Sequence, residues 1–128
     1  MHSAKTDQVE ITVKTQYEGE RNRILNGPYV FSYVISITNH AAEAVQLLRR
    51  HWFIIDGDGQ KREVEGLGVI GQQPIILPGE TYTYNSFCPL SQEVGKMCGF
   101  YTMIRPIDEH LFVVDIPEFS LTVPYRAN

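Results

Sequence analysis

Apolar and polar side chains alternate along several stretches of this chain with the period of two that is typical of a half-buried β-strand. The longest alternation covers residues 29–38, and a shorter one covers residues 9–13. These patterns predict two strands, each with one face toward a core. The predicted inward faces carry Tyr29, Phe31, Tyr33, Ile35 and Ile37 in the longer strand and Val9, Ile11 and Val13 in the shorter one.

Residues 45–55 are apolar on both sides of the central Arg49-Arg50-His51 run, which predicts a central strand that contains the only tryptophan, Trp52. The sequence Asp-Gly-Asp-Gly at residues 56–59 then predicts a turn, because glycine readily adopts positive φ. Further strands are predicted at residues 80–86, 96–105 and 111–123.

The last predicted strand contains a change of parity. Its apolar positions are even-numbered up to Ile116 and odd-numbered from Phe119 onward, with Pro117 between them. One inserted residue has this effect, and proline is tolerated in a strand where no ladder hydrogen bond is lost. The pattern therefore predicts a bulge or kink at Pro117.

Helical periodicity is almost absent, since the best local helix former, residues 41–44, spans barely one turn. Seven or eight strands separated by Gly, Pro and Asn turns predict an all-β fold, an antiparallel β-sandwich of the immunoglobulin or fibronectin type III kind. A chain of 128 residues has the usual length of one domain. We expect residues 1–128 to form that domain, with residues 1–7 as a flexible N-terminal tail.

The net charge and the distribution of apolar residues indicate which classes of partner and which cellular compartment to expect. Eleven Lys and Arg residues against fifteen Asp and Glu residues give a net charge of −4, which disfavours nucleic acid as a partner. The N-terminus has no apolar signal segment, and no stretch is apolar enough for membrane insertion. We therefore expect a cytoplasmic protein in which Cys88 and Cys98 are free thiols.

Residues 66–71 match the G-x-G-x-x-G motif through Gly66, Gly68 and Gly71. A dinucleotide site would need a helix after the third glycine, and Pro74 makes such a helix unfavourable. Two interpretations remain. The glycines have a structural role in a close-packed loop, or their amides form a concave phosphate-binding site without a helix. The sequence does not show whether a cation approaches the loop, and the candidates are Arg49, Arg50, Lys61 and Arg62.

Catalytic and metal-binding patterns are missing from the sequence. The four histidines and two cysteines show no paired ligand spacing, and no G-x-S-x-G element is present. We interpret His51, between Arg50 and Trp52, as a hydrogen-bonded structural residue. The sequence therefore predicts no catalytic residues, no metal ligands, no cofactor and no enzymatic activity.

Six segments together resemble the bacterial ApaG family, also called CorD, and the resemblance covers nearly the whole chain. Two departures, Phe87 in place of a common Gly and Gln92-Glu93 in place of a common Thr-Pro, fall in one loop. The segments are residues 45–52 (VQLLRRHW), 66–74 (GLGVIGQQP), 77–80 (LPGE), 84–86 (YNS), 95–103 (GKMCGFYTM) and 116–119 (IPEF).

The resemblance implies a fibronectin type III-like β-sandwich and a link to cobalt resistance and magnesium efflux. Copies of the domain in eukaryotic proteins imply protein–protein interaction, and a suggested pyrophosphate site maps onto Gly66, Gly68 and Gly71. We predict a non-catalytic cytosolic module that binds a protein partner. The alternative is a phosphate or pyrophosphate ligand, or activity on a nucleotide polyphosphate, at residues 66–71. The unpaired edges of a sandwich leave homodimerisation open.

Overall fold

The computed structural model describes residues 1–19 and 28–126. Within that part of the chain, no helix has the length and apolar character needed to cross a membrane. The regular elements are β1 (His2–Thr6), β2 (Val9–Tyr17), β3 (Tyr29–Asn39), β4 (Val45–Asp56), β5 (Lys61–Leu67), β6 (Ile75–Ile76), β7 (Thr81–Leu90), β8 (Val94–Arg105), β9 (His110–Thr122) and a final 3₁₀ turn (Pro124–Arg126).

The strands form two antiparallel sheets that pack face to face. Sheet A has the order β1-β2-β3-β7, and sheet B has the order β5-β4-β8-β9 with the short β6 beside β4. Every pairing within them is antiparallel. The predicted all-β fold, an antiparallel β-sandwich, is confirmed.

The core lies between the sheets and contains the faces that the alternation predicts. Val9, Ile11 and Val13 of β2 are fully buried. On sheet B, the Trp52 ring lies 5.5 Å from the ring of Tyr33 in β3 and 5.9 Å from that of Phe119 in β9. The tryptophan thus joins both sheets. The buried residues of β3 are Phe31, Tyr33, Ile35, Ile37 and Asn39.

The predicted irregularity at Pro117 is confirmed as a bulge in β9. Met97 of β8 pairs with Phe119, whereas Gly99, two residues further along β8, pairs with Ile116. The β9 segment between those two pairs is therefore one residue longer than the β8 segment. This extra residue explains why the buried positions change parity there.

The expectation that residues 1–7 form a flexible tail is wrong. His2–Thr6 is strand β1, which pairs with Val9–Val13 in register. Asp7 and Gln8 both have positive φ, 47° and 64°, as a two-residue hairpin turn of the primed kind requires. Because β1 is a polar edge strand, its sequence carries no hydrophobic alternation that would have revealed it.

Candidate functional site

A bulge in β4 turns a charged side chain toward the interior of the sandwich. The register against β8 shifts between Leu47 and Arg49. Leu47 before the shift is buried, and so are Trp52 and Ile54 after it, so the inward face passes from odd to even residue numbers. Arg50 therefore shares the inward face with Trp52 and lines a cavity between the sheets.

This cavity lies between β5 and β7, the edge strands on one side of the sandwich, and has a volume of about 350 Å³. We call it the β5–β7 slot. Its walls combine two arginines with aromatic, aliphatic and small polar side chains. They are Tyr33, Arg50, Trp52, Ile54, Arg62, Val64, Val69, Ile70, Gly71, Tyr84, Ser86, Phe87, Cys88, Pro89 and Met97.

Arg50 fixes the glycine loop at one end of the slot. Its Nη1 donates hydrogen bonds to the carbonyl oxygens of Leu67, at 2.9 Å, and of Gly68, at 3.0 Å. A Cβ atom at Gly66 would lie 3.1 Å from Arg50 Nη2, so this glycine leaves room for the guanidinium. The structure thereby identifies Arg50 as the cation that reaches the loop.

The rest of the motif is a tight turn. Val69 N donates to Gln72 O and Gln72 N donates to Val69 O, at 2.8 and 2.9 Å. Ile70 and Gly71 between them have φ of 47° and 73°, the combination that a type I′ turn needs. Residues 71–74 continue as turn and extended chain, so the dinucleotide-binding helix is absent from this described segment.

Gly68 has a different requirement from Gly71. A Cβ atom at Gly68 would lie 2.1 Å from Gln72 O, whereas one at Gly71 would meet nothing within 4 Å. Gly68 N also donates to Leu48 O at 2.8 Å. The amides of Gly68 and Val69 are therefore engaged within the protein, and those of Ile70 and Gly71 have no acceptor among residues 1–19 and 28–126.

Arg62 joins the two edge strands at the other end of the slot. Its Nη2 donates to the carbonyl oxygen of Pro89 in β7 and lies 3.6 Å from Cys88 Sγ. Burial raises the pKa of the Cys88 thiol, and the Arg62 guanidinium opposes that effect without cancelling it. Cys88 and Cys98 are both free in the structure, as predicted.

Tyrosine hydroxyls lie in the interior beside the slot. Tyr84 and Tyr101 share a hydrogen bond between their hydroxyl groups. Burial raises the pKa of both phenols. Burial also raises the pKa of Tyr33, although a hydrogen bond with Ser86 opposes the shift. All three phenols are therefore neutral at physiological pH and can donate hydrogen bonds.

His51 lies on the opposite, outer face of sheet B. Its ring is stacked between those of Phe53 and Phe100, with centroids 4.6 and 4.9 Å away. Its Nε2 lies 2.9 Å from Glu63 Oε2 and its Nδ1 lies 3.1 Å from Glu65 Oε2. The interpretation of His51 as a hydrogen-bonded residue is confirmed.

The structure brings together only part of the predicted set. Of the four cations considered for the loop, Arg50 and Arg62 line the slot, whereas Arg49 and Lys61 do not. Sequence reasoning missed Tyr84, Ser86 and Cys88, which share the inward face of β7 with the predicted period of two but are separated from Arg50 by more than thirty positions. In the described residues, no three His, Cys, Asp or Glu side chains converge on a metal-sized space.

Comparisons with known proteins agree with the fold and with the motifs. The ApaG domain model matches residues 19–105. Protein ApaG of Methylobacterium radiotolerans is 42% identical over 125 residues, covering 98% of this chain and 95% of that protein. Protein ApaG of Nitrosomonas eutropha is 44% identical over 123 residues, covering 94% of this chain and 96% of that protein.

Solved structures give the same result. The crystal structure of a Bordetella pertussis protein described as ApaA has 40% sequence identity and a TM-score of 0.87, covering 94% of this chain and 97% of that one. The C-terminal domain of Wzt has a TM-score of 0.58 at 9% identity, covering 95% of this chain and 77% of that one. The second likeness concerns the fold alone.

Proposed function

Because this chain belongs to the ApaG family, we propose that it is a non-catalytic binding module of the cytoplasm that recognises a protein partner at the β5–β7 slot. One observation carries the proposal: a cavity of about 350 Å³ lies between two edge strands and combines two arginines with aromatic walls. Concave sites that mix apolar walls with a few polar groups are the usual ligand sites of proteins.

The residue types in the slot favour binding over catalysis. Burial raises the pKa of the Cys88 thiol, which makes it a poor nucleophile at neutral pH. Among the described residues that line the slot there is no histidine, aspartate or glutamate to act as a general base. The exposed aromatic ring of Phe87 and the arginines are residue types enriched in interfaces.

Affinity capture tests this proposal. The immobilised wild-type chain is exposed to a lysate of its source organism, in parallel with Arg62→Glu and with the matched charge change Lys14→Glu on the exposed surface of β2. We expect a protein that is retained by wild type and Lys14→Glu and lost with Arg62→Glu. Equal retention by all three folded proteins would contradict a partner site at the slot.

The links to cobalt resistance and magnesium efflux belong to the same proposal, with the chain acting on ion levels through its bound partner. A strain that lacks this protein and is sensitive to cobalt provides the test. Wild type and Lys14→Glu are expected to restore growth in cobalt, and Arg62→Glu is expected to fail. Full rescue by Arg62→Glu would separate the metal phenotype from the slot.

A second candidate function is the binding of phosphate or pyrophosphate at residues 66–71. The observation that favours it is the presence of Arg50 and Arg62 in one cavity with Ile70 and Gly71, whose amides have no acceptor among the described residues. Two guanidinium groups and free amides are the ordinary recognition chemistry for phosphate oxygens. Activity on a nucleotide polyphosphate would use the same contacts.

Titration with sodium pyrophosphate, followed by amide NMR, tests this candidate. Gly68→Val is unsuitable, because its side chain would collide with Gln72 O whether or not a ligand binds. Arg50→Gln is the loss variant, and Gly71→Asn is the matched control that keeps the turn. Shifts at residues 68–72 that vanish with Arg50→Gln support the candidate, and a titration without shifts contradicts it.

A further inference from the structure

Along residues 81–88, the free edge of β7 lacks the devices that keep other strand edges from pairing. β7 hydrogen-bonds with β3 on one side, and no described strand lies on its other side. Its ten residues, Thr81–Leu90, contain no charged side chain, and proline appears only at position 89. Long uncharged edges are ready templates for an added strand, and natural proteins usually block them with charges, prolines or bulges.

The other three edges carry such devices. β1 is only five residues long and contains Lys5. β5 has four charged side chains among its seven residues. β9 has the Pro117 bulge, and its Asp115 amide donates to Thr6 Oγ1 at 3.3 Å. The contrast singles out β7 as the edge that is least protected against an added strand.

The two sheets are also offset, so that one strand position in sheet A is empty. β1 and β2 pack against β9 at one side of the sandwich. At the other side, Val64 of β5 shares the inward face with Trp52, yet 41% of its surface is exposed. A fifth strand added to sheet A next to β7 would lie over Val64 and close the β5–β7 slot.

We propose that the protein partner supplies this missing strand: an extended segment that pairs with the free edge of β7 and directs an acidic side chain between Arg50 and Arg62. The proposal rests on the proposed function and names the chemistry of its partner. Strand addition of this kind takes its affinity from main-chain hydrogen bonds and its specificity from alternate side chains that enter pockets.

Charge and exposure define the sequence of the segment. The described lining of the slot holds two guanidinium groups and no carboxylate, so one acidic side chain would complement it. Phe87 and Ile70 at the rim are 53% and 60% exposed. Side chains on one face of a strand recur every second residue, so apolar residues are expected two positions before and after the acidic one.

Selection from a random dodecapeptide library displayed on phage tests the proposal, with counter-selection on Arg62→Glu. The enriched peptide is then synthesised with its acidic residue changed to the amide. Two further versions carry N-methyl groups on alternate backbone nitrogens, either the odd or the even set. In a strand paired with β7, only alternate backbone N–H groups of the peptide point toward β7. N-methylation of that set therefore blocks the pairing, whereas N-methylation of the other set does not, and this difference is specific to strand addition.

We expect amide exchange at alternate residues of β7 to slow about tenfold when the peptide binds, as new ladder hydrogen bonds form. One N-methylated version loses binding, while the other stays near the parent affinity. The amide version binds about tenfold more weakly, as for the loss of one charge-assisted hydrogen bond. Equal effects of the two N-methyl sets, or protection away from β7, would overturn strand addition.

Two outcomes distinguish this inference from the proposed function. If lysate capture depends on Arg62 but no selected peptide protects β7, strand addition is wrong and the proposed function stands. If the free protein protects its own β7 amides as its concentration rises, with dimers seen in sedimentation velocity, the edge belongs to a second copy and the inference is overturned. A glutamate-dependent peptide at β7 supports it.

Discussion

The guanidinium group of Arg50 lies over the α-carbon of Gly66, close enough that a methyl group there would sit 3.1 Å from Nη2 and 3.2 Å from Nη1. Because Gly66 has no side chain, the guanidinium group of Arg50 can occupy this position. The three atoms nearest to a Cβ at position 66 all belong to the Arg50 guanidinium, so the requirement for glycine comes from the side of the strand that faces Arg50.

Gly66→Ala is therefore expected to displace Arg50 from the carbonyl oxygens of Leu67 and Gly68. We expect a loss of about 1 kcal/mol in the free energy of unfolding, the usual contribution of one hydrogen bond. Urea denaturation measures the loss, and the Arg50 side-chain NMR signals report the movement. Gly71→Asn is the control, because its side chain meets no neighbour; equal effects of the two variants would contradict this account.

Asp56 connects the end of β4 to the β7–β8 connection. Its carboxylate accepts hydrogen bonds from Ser91 N and Oγ, Gln92 N and Gly57 N, at 2.8 to 3.0 Å. Burial acts to raise the pKa of Asp56, but the bonds from Ser91, Gly57 and Gln92 outweigh it and the pKa is lowered. A lowered pKa stabilises the folded state at pH above the ordinary value of the unfolded chain.

Asp56→Asn is expected to lower the free energy of unfolding at pH 7 by roughly 1 kcal/mol, after allowance for solvent screening. The deficit should shrink as the pH falls below about 4, because wild type then loses the same contribution when Asp56 is protonated. Urea denaturation at pH 7 and pH 3 checks this. A deficit that is independent of pH would argue against the assignment.

The hydroxyl pair of Tyr84 and Tyr101 predicts non-additive substitutions. Tyr84→Phe or Tyr101→Phe leaves one buried hydroxyl without its partner, which costs about 1–2 kcal/mol. The double variant should cost less than the sum, since no hydroxyl is then left unpaired. Thermal and urea denaturation of all four proteins give the coupling energy. Strict additivity would mean that the two hydroxyls do not depend on each other.

The two cysteines are expected to differ in reactivity. Cys88 is 2% exposed, and burial raises the pKa of its thiol, whereas Cys98 is half-buried on the outer face of sheet B. Iodoacetamide at pH 8 should label Cys98 at least about tenfold faster, because the thiolate is the reactive form. Peptide mass spectrometry over time measures both rates. Equal rates in the folded protein would contradict the burial of Cys88, and guanidinium chloride should equalise them.

Local patterns revealed the strands that have a buried face of their own. The parity change at Pro117 was predicted because Ile116 and Phe119 are both large and both buried. The hydrophobic pattern did not reveal β5, because its inward residues Arg62 and Val64 line a cavity and do not pack in the core. Hydrophobic alternation is absent where no opposite sheet covers the strand.

The candidate site was predictable only as separate pieces. The glycine motif was visible, but the bulge that turns Arg50 inward lies in a segment that is apolar on both faces, where periodicity carries no parity signal. Tyr84 and Cys88 meet Arg50 and Arg62 only through the packing of two sheets. Such proximity depends on topology, which spacing along the chain does not encode.

Arg62 makes the side-chain hydrogen bonds between β5 and β7 among residues 1–19 and 28–126, to Pro89 O and to Cys88 Sγ. An anionic ligand that binds the Arg62 guanidinium would replace its hydrogen bond to Pro89 O and so remove this link between β5 and β7. Occupancy of the slot and the separation of the layers are therefore thermodynamically linked. A ligand that displaces the Arg62 bonds therefore binds well only if it makes contacts with both β5 and β7 that replace them.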